Sequence, residues 1–251
     1  MEKDKIISSL SFHKSTKVSF LKDEQEGEEY PLVWKKIFFK TYPRFKKIKL
    51  LNSKLPKKNF QTVIKNRIST REFKSKPITL KKISQVLKYS IAIIKKPKKN
   101  LFDETRRMYP SAGARYPLEF YIVILNSKEI FPGLYHYNVK LHCLELLIKG
   151  NLRDFFYKAL KQNMIKKANF LIITSSIFSR TKIKYGERSY RYILMEAGHA
   201  TQNFYLVASC LKMGCCAIGG FIDNKINKLL DFVNDEEAVL YITAFGEKYE
   251  K

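Results

Sequence analysis

From Tyr109 to Tyr121 the chain reads YPSAGARYPLEFY and continues without a break into Ile122, Val123, Ile124 and Leu125. That run allows few folds, because a turn of very small residues must feed a buried strand. Ser111, Ala112, Gly113 and Ala114 carry almost no side-chain bulk, so a flat ligand can lie directly against their backbone. Gly113 allows a positive φ and a close approach of the main chain. Pro117 stands at the strand start, where a residue without a ladder donor is tolerated.

At 251 residues and 45% hydrophobic, the chain can bury a substantial core in one generous domain or two small ones. No run reaches the roughly 18 to 20 apolar residues that span a bilayer. Met1 to Ile7 mixes charges and lacks a signal-type apolar stretch. The expectation is a soluble, cytoplasmic protein with no membrane partner. Cys143, Cys210, Cys215 and Cys216 make no CxxC pair and complete no zinc spacing, so no metal is expected and buried free thiols are favoured. The net charge of +25, from 48 Lys+Arg against 23 Asp+Glu, permits nucleic acid or an acidic partner. Yet the lysines are spread in pairs, as at Lys35-Lys36, Lys57-Lys58, Lys81-Lys82 and Lys95-Lys96. No arginine-rich block or nucleic-acid module appears among them. A compositional bias is the better explanation.

Apolar spacing predicts a helix over Leu80 to Ile94 with Thr79 as N-cap, then an exposed loop over Lys95 to Asn100. Leu118 to Leu125 reads as a strand, and Leu134 to Tyr137 with Leu141 to Ile148 as a hairpin. Asn151 to Gln162 fits a helix capped by Asn151, with Phe155, Phe156 and Leu160 inward. Ala168 to Thr174 and Ala238 to Phe245 read as strands. Ser189 to Met213 is the longest helical pattern, with Gly214 as its C-terminal stop. Elements mixed in this order indicate an α+β fold.

Three clusters bear on chemistry. Arg67, Ser69 and Arg71 recur at every second position, and in an extended segment that spacing aims two guanidinium groups and a hydroxyl to one side. Such a set suits a phosphate. Ala217-Ile-Gly-Gly-Phe221 offers a glycine pair whose N–H groups can reach a ligand edge. Lys184 beside Tyr185 supplies two proton carriers that burial can tune. Further on, Ala197, Gly198 and Ala200 leave a thin helix face, and His199 could be a ligand or a base, although a hydrogen-bonded core histidine is the commoner case.

Taken in order, these pieces resemble the nitroreductase-like flavoprotein family, and within it the SagB-type, azole-forming dehydrogenases. The matching segments are Arg67–Arg71, Tyr109–Tyr121, Pro132–Asn138, Lys184–Asn203 and Ala217–Phe221, with Ser11–Lys17 resembling the family's lead-in. The resemblance implies a mixed or antiparallel central sheet flanked by helices, in a homodimer with FMN at the interface. Residues 1–60 would form a basic N-terminal segment and 61–251 the FMN-binding domain. Arg67, Ser69 and Arg71 would hold the phosphate. Pro110, Ser111, Ala112 and Gly113 would line the ring system, with Gly219 and Gly220 near N5 and Gln202 and Asn203 as further contacts. Gly246-Glu247-Lys248 departs from the Gly-Arg that relatives often carry, which puts a phosphate contact there in doubt.

The resemblance also gives Lys184 and Tyr185 the proton-handling role. A thiazoline or oxazoline in a ribosomally made peptide would lose its α-proton to the base and a hydride to FMN, with dioxygen as reoxidant. A cyclodehydratase that installs the ring would be a partner. A rival reading is a reductase fed by a nicotinamide cofactor and acting on dehydroamino acids, quinones or nitro compounds. A non-catalytic reading is a basic scaffold or nucleic-acid-binding protein.

Overall fold

Along strand β4 (Leu118–Ile124), Leu118, Phe120, Ile122 and Ile124 pack into one apolar cluster while Tyr121 and Val123 pack into another. A strand buried on both faces needs a layer on each side of its sheet. The computed structural model, which describes residues 8–18, 31, 38–95, 105–232 and 236–249, supplies both layers. The other strands of the sheet are β1 (Lys47–Lys49), β5 (Gly133–Asn138), β6 (Cys143–Lys149), β7 (Phe170–Ile177), β8 (Met213–Ile218) and β9 (Glu237–Glu247). They form a seven-stranded sheet in the order β1-β6-β5-β4-β7-β9-β8, and every neighbouring pair is antiparallel. Because β1 pairs with β6, part of the segment before residue 60 belongs to this same sheet.

One face is covered by two helices, which we label α3 (Leu80–Ile91) and α6 (Ser189–Cys210). The other carries α4 (Arg153–Leu160) and α7 (Asp223–Leu229). Short helices α1 (Ser9–Ser15), α2 (Phe60–Lys65) and α5 (Ser179–Tyr185) complete the described set. The α+β expectation holds. So does the Thr79 cap, whose hydroxyl accepts from the Lys82 N–H. All four cysteines are buried and free.

Several boundaries differ from the sequence reading. Helix α3 stops at Ile91, because Ala92 turns extended and Ile93–Lys95 becomes strand β2, paired with β3 (Arg106–Arg107). Ile94, which helical spacing placed inward, is 59% exposed. Lys95 therefore sits in a strand, and the rest of the Lys95–Asn100 loop lies outside the described residues. The hairpin's return strand begins at Cys143, not Leu141. Helix α4 begins at Arg153, although Asn151 Oδ1 does accept the Arg153 N–H at 3.0 Å. It ends at Leu160, where Lys161 turns left-handed, and Phe155 is half-buried. The strand expected from Ala168 starts at Phe170 and runs on to Ile177. The last strand runs from Glu237 through Glu247.

Gly214 is not a helix stop. The left-handed turn falls at Lys212, with φ 55°, and Gly214 lies within β8 opposite Gly246 of β9. The buried Phe73 ring rests on this glycine pair: a Cβ on Gly246 would lie 2.4 Å from Phe73 Cγ, and one on Gly214 2.7 Å from its Cε1. Phe73 thereby fastens the segment after Arg71 to the sheet. We expect Gly246→Ala to destabilise the protein by about 1–3 kcal/mol through overpacking, read as the urea midpoint. An unchanged midpoint would show that Phe73 is free to move aside.

Candidate functional site

The small-residue turn is wound more tightly than its composition required. Gly113, Ala114 and Tyr116 take φ of 57°, 52° and 47°, and for the two non-glycine residues this is a strained conformation. Hydrogen bonds hold it in place. The Ala114 N–H donates to the Ser111 carbonyl at 3.0 Å, and the Tyr116 N–H donates to Ser111 Oγ at 2.8 Å. Pro110 and Gly113 stay exposed, while Ser111 and Ala112 are half-buried.

Helix α5 brings Lys184 and Tyr185 against this turn. A Cβ on Gly113 would lie 2.7 Å from Tyr185 Oη and 3.3 Å from Lys184 Cδ. Thus the two segments, far apart in sequence, meet at a glycine. Lys184 Nζ stands 5.5 Å from the centre of the Tyr185 ring, whose other side meets Tyr192 edge-on at 5.1 Å. Arg115, at the end of the turn, donates from Nε to the Arg180 carbonyl in the first turn of α5 at 2.9 Å. Burial lowers the Arg115 pKa, and the nearby Tyr185 works in the opposite direction.

Below α5 lies a buried ladder of charge that sequence reading missed. Arg180 pairs with Glu119 at 2.7 Å and donates to the Tyr116 carbonyl at 3.2 Å. Glu119 meets His136 Nε2 at 3.0 Å, and His136 Nδ1 meets Glu145 at 2.9 Å. Asn138 and the Tyr42 N–H donate to Glu145. Carboxylates thus face both ring nitrogens of His136, and the ladder ties β4, β5, β6 and α5 together. Burial alone would raise the Glu119 pKa, but the His136 hydrogen bond and the charges of Arg180, His136 and Arg107 take it down to about 2. The available signal was a lone charge inside each of the apolar runs LEFYIVI, GLYHYN and CLELLIK, since a buried charge is rarely unpaired.

Glu196 is the second buried carboxyl near the turn. It is 2% exposed and neither oxygen has a hydrogen-bond partner among the described residues. Burial pushes its pKa up to about 8, against the lowering effects of the Ser111 hydroxyl and Arg107. The folded state therefore keeps this proton well above the usual carboxylate range, whereas the unfolded chain releases it near 4.5. Stability from Glu196 is full below the unfolded value and is lost as pH rises towards about 8. We expect Glu196→Gln to flatten that part of the pH profile of urea unfolding. A wild-type slope in the variant would sink the assignment.

At the far end of α6, Arg67 and Ser69 gather around one tyrosine. Ser69 Oγ and Tyr205 Oη lie 3.0 Å apart, and the Arg67 guanidinium sits 5.4 Å from the Tyr205 ring centre. Tyr205 Oη also accepts the Ala217 N–H at 2.8 Å, and the Thr70 N–H donates to the Cys215 carbonyl at 2.9 Å. Tyr205 so joins the Arg-Ser-Arg segment to the strand that ends at Gly219 and Gly220. Ser69, Arg71, Gly219 and Gly220 are exposed, and Arg67 is half-buried. Above Gly220 a Cβ would meet nothing within 4 Å.

Gln202 is exposed on α6. Asn203 instead braces the fold, donating from Nδ2 to the Ser90 and Met108 carbonyls at 3.2 and 2.7 Å. His199, expected in the core, is exposed. Gly198 faces open space while Ala197 and Ala200 are buried, so the three small residues do not share one face.

The antiparallel sheet with helices on both faces thus carries a strained small-residue turn, with Lys184 and Tyr185 packed on it. The sequence pattern of the Nitroreductase family matches residues 64–247, and the chain belongs to that family. It is 33% identical over 192 residues to the nitroreductase-family protein MJ1384 of Methanocaldococcus jannaschii, covering 76% of this chain and 91% of the relative. It is 30% identical over 172 residues to the microcin B17-processing protein McbC of Escherichia coli, covering 64% of this chain and 63% of McbC. The trifolitoxin-processing protein TfxB of Rhizobium leguminosarum bv. trifolii is 34% identical over 118 residues, covering 43% of this chain and 31% of TfxB. A nitroreductase-like protein from Anabaena variabilis superposes with a TM-score of 0.73 at 24% identity, over 95% of this chain and 46% of that one. A chain of the E. coli microcin synthetase McbBCD, solved with truncated pro-MccB17 bound, gives a TM-score of 0.61 at 24% identity, over 95% of this chain and 86% of that one.

Proposed function

We propose that this oxidoreductase is an FMN-dependent azoline dehydrogenase that matures a ribosomally made peptide in the cytoplasm. The observation that carries the reading is the seating of Lys184 and Tyr185 on Gly113. Tyr185 Oη and the Lys184 stem meet the turn where the resemblance puts the flavin ring. The chain's residues fit FMN. Arg67, Ser69 and Arg71 offer charge-assisted donors for a phosphate, the Pro110–Gly113 turn is thin enough for a flat ring, and Gly219 and Gly220 leave their backbone bare. Gln202 is a further contact, whereas the Asn203 amide is already engaged. When bound, FMN supplies the two-electron chemistry. Lys184 takes the proton from the azoline α-carbon, Tyr185 helps move it, and Arg115 and Arg180 keep both groups in place.

Similarity to two peptide-processing proteins supports this reading over other members of the family. By analogy with the McbBCD assembly, a cyclodehydratase and the precursor peptide are its partners. A homodimer is part of the proposal. Leu194 and Met195 stand 44% and 52% exposed on α6, beside exposed Gly198, as a face ready for a second copy.

The similarity to MJ1384 over nearly its whole length favours a second reading, a nicotinamide-fed reductase. The visible spectrum of the purified protein separates the two, followed under nitrogen after adding either a thiazoline peptide or NADPH. Bleaching of flavin bands by the peptide alone supports dehydrogenation. Bleaching by NADPH alone selects the reductase, and a protein that takes up no FMN rejects both.

A further inference from the structure

The strong positive charge is not spread evenly over the molecule's hollows. Behind the Arg67–Arg71 segment lies a furrow of about 650 Å³, to which Ile68 and Thr70 contribute but Arg67, Ser69 and Arg71 do not. Lys65, Lys74, Lys76 and Lys248 line it. It shares Lys82, Leu211 and Lys212 with a second hollow of about 520 Å³, lined in turn by Lys54, Lys58 and Lys81. Every charged side chain along this continuous furrow is a lysine except Glu247, which Lys82 already holds at 2.6 Å. Other hollows differ. One carries Lys40 with Asp231, Glu236 and Glu237, and another Lys182 with Glu187 and Glu236. A uniform compositional bias does not produce that segregation.

The floor of the furrow is apolar, with Ile68, Leu55, Pro56, Ala208, Leu211 and Met213 between the lysines. We propose that this furrow docks an acidic, amphipathic peptide segment of a partner, its apolar side chains on the floor and its carboxylates among the lysines. Charge complementarity selects an anion. The furrow lacks the arginines that fork onto phosphates, and of its two tyrosines, Tyr249 has Lys74 Nζ 5.7 Å from its ring centre. Tyr249 is the one exposed aromatic ring among the described residues of its lining, a single platform for a base rather than a row of them, so a peptide fits better than a nucleic acid. The inference is independent of the azoline reading, because the furrow lies behind the Arg67–Arg71 segment and includes neither Lys184 nor Tyr185.

The test uses the full-length protein and fluorescence anisotropy of three labelled probes: a peptide alternating glutamate with leucine, its glutamine counterpart, and a single-stranded oligonucleotide. We expect saturable binding of the glutamate peptide. Lys65→Glu/Lys76→Glu/Lys212→Glu should weaken it about tenfold or more. Lys128→Glu/Lys149→Glu/Lys166→Glu, equal in charge change but outside the furrow, should leave it within about twofold. Unchanged thermal unfolding identifies variants that remain folded. The proposal is overturned if the glutamate peptide does not bind, if the glutamine peptide or the oligonucleotide binds as well, or if both triple variants lose equally.

Discussion

If the proposed azoline dehydrogenase reading holds, Lys184→Ala should keep FMN and slow azoline oxidation by about a hundredfold to ten-thousandfold, the usual range for losing a general base. Tyr185→Phe should fall in the same direction while preserving the ring that packs on Tyr192. The expectation follows from geometry. At Gly113 the turn lets Tyr185 Oη and the Lys184 stem come close, because a Cβ there would lie 2.7 Å from Tyr185 Oη. Removing the lysine leaves that space intact, so cofactor content should not change. The loss should sit in kcat with the peptide. Full turnover with bound FMN in Lys184→Ala would end the base assignment. Loss of FMN would instead give Lys184 a part in holding the cofactor.

The second large effect is on stability. Glu119→Ala should cost about 3–5 kcal/mol, since breaking a buried pair leaves its partner charged and uncompensated. The partner stranded here is Arg180, 7% exposed, while fully buried His136 keeps Glu145 on its other nitrogen. The Glu119 pKa, taken down to about 2, gives the pH dependence. This contribution is full above the unfolded value near 4.5 and is lost as pH falls towards about 2, the opposite sense to Glu196. Urea unfolding at neutral pH and in acid would read both. A Glu119→Ala midpoint within about 1 kcal/mol of wild type would mean that the ladder is not a tightly coupled unit. Because Arg180 opens α5, the same variant should also slow peptide oxidation by loosening the Lys184–Tyr185 turn.

Much of this was legible in the chain. Uninterrupted apolar runs located the central strands, and the 3.6-residue spacing located α3 and α6. The stretch of small residues marked the turn and its positive φ at Gly113. Where local signals competed, they misled. Ile94 continued a helical pattern, but pairing of Ile93 with Arg107 and Lys95 with Arg106 drew the segment into a strand. Gly214 stood where a helix stop is common, yet it was needed as flat ground for Phe73.

The sequence by itself determined the α+β class and the buried strands, and supplied the residue types on which the proposed site rests. Those depend on periodicity, side-chain volume and chemistry, all of them local. Only the tertiary structure decided that Tyr185 lies against Gly113 and that Tyr205 ties Ser69 to Ala217. It also decided that Glu119, His136, Glu145 and Arg180 join in one ladder, and that the lysines crowd one furrow. These are contacts between residues from 9 to 136 positions apart, fixed by strand order and register. No spacing along the chain encodes them.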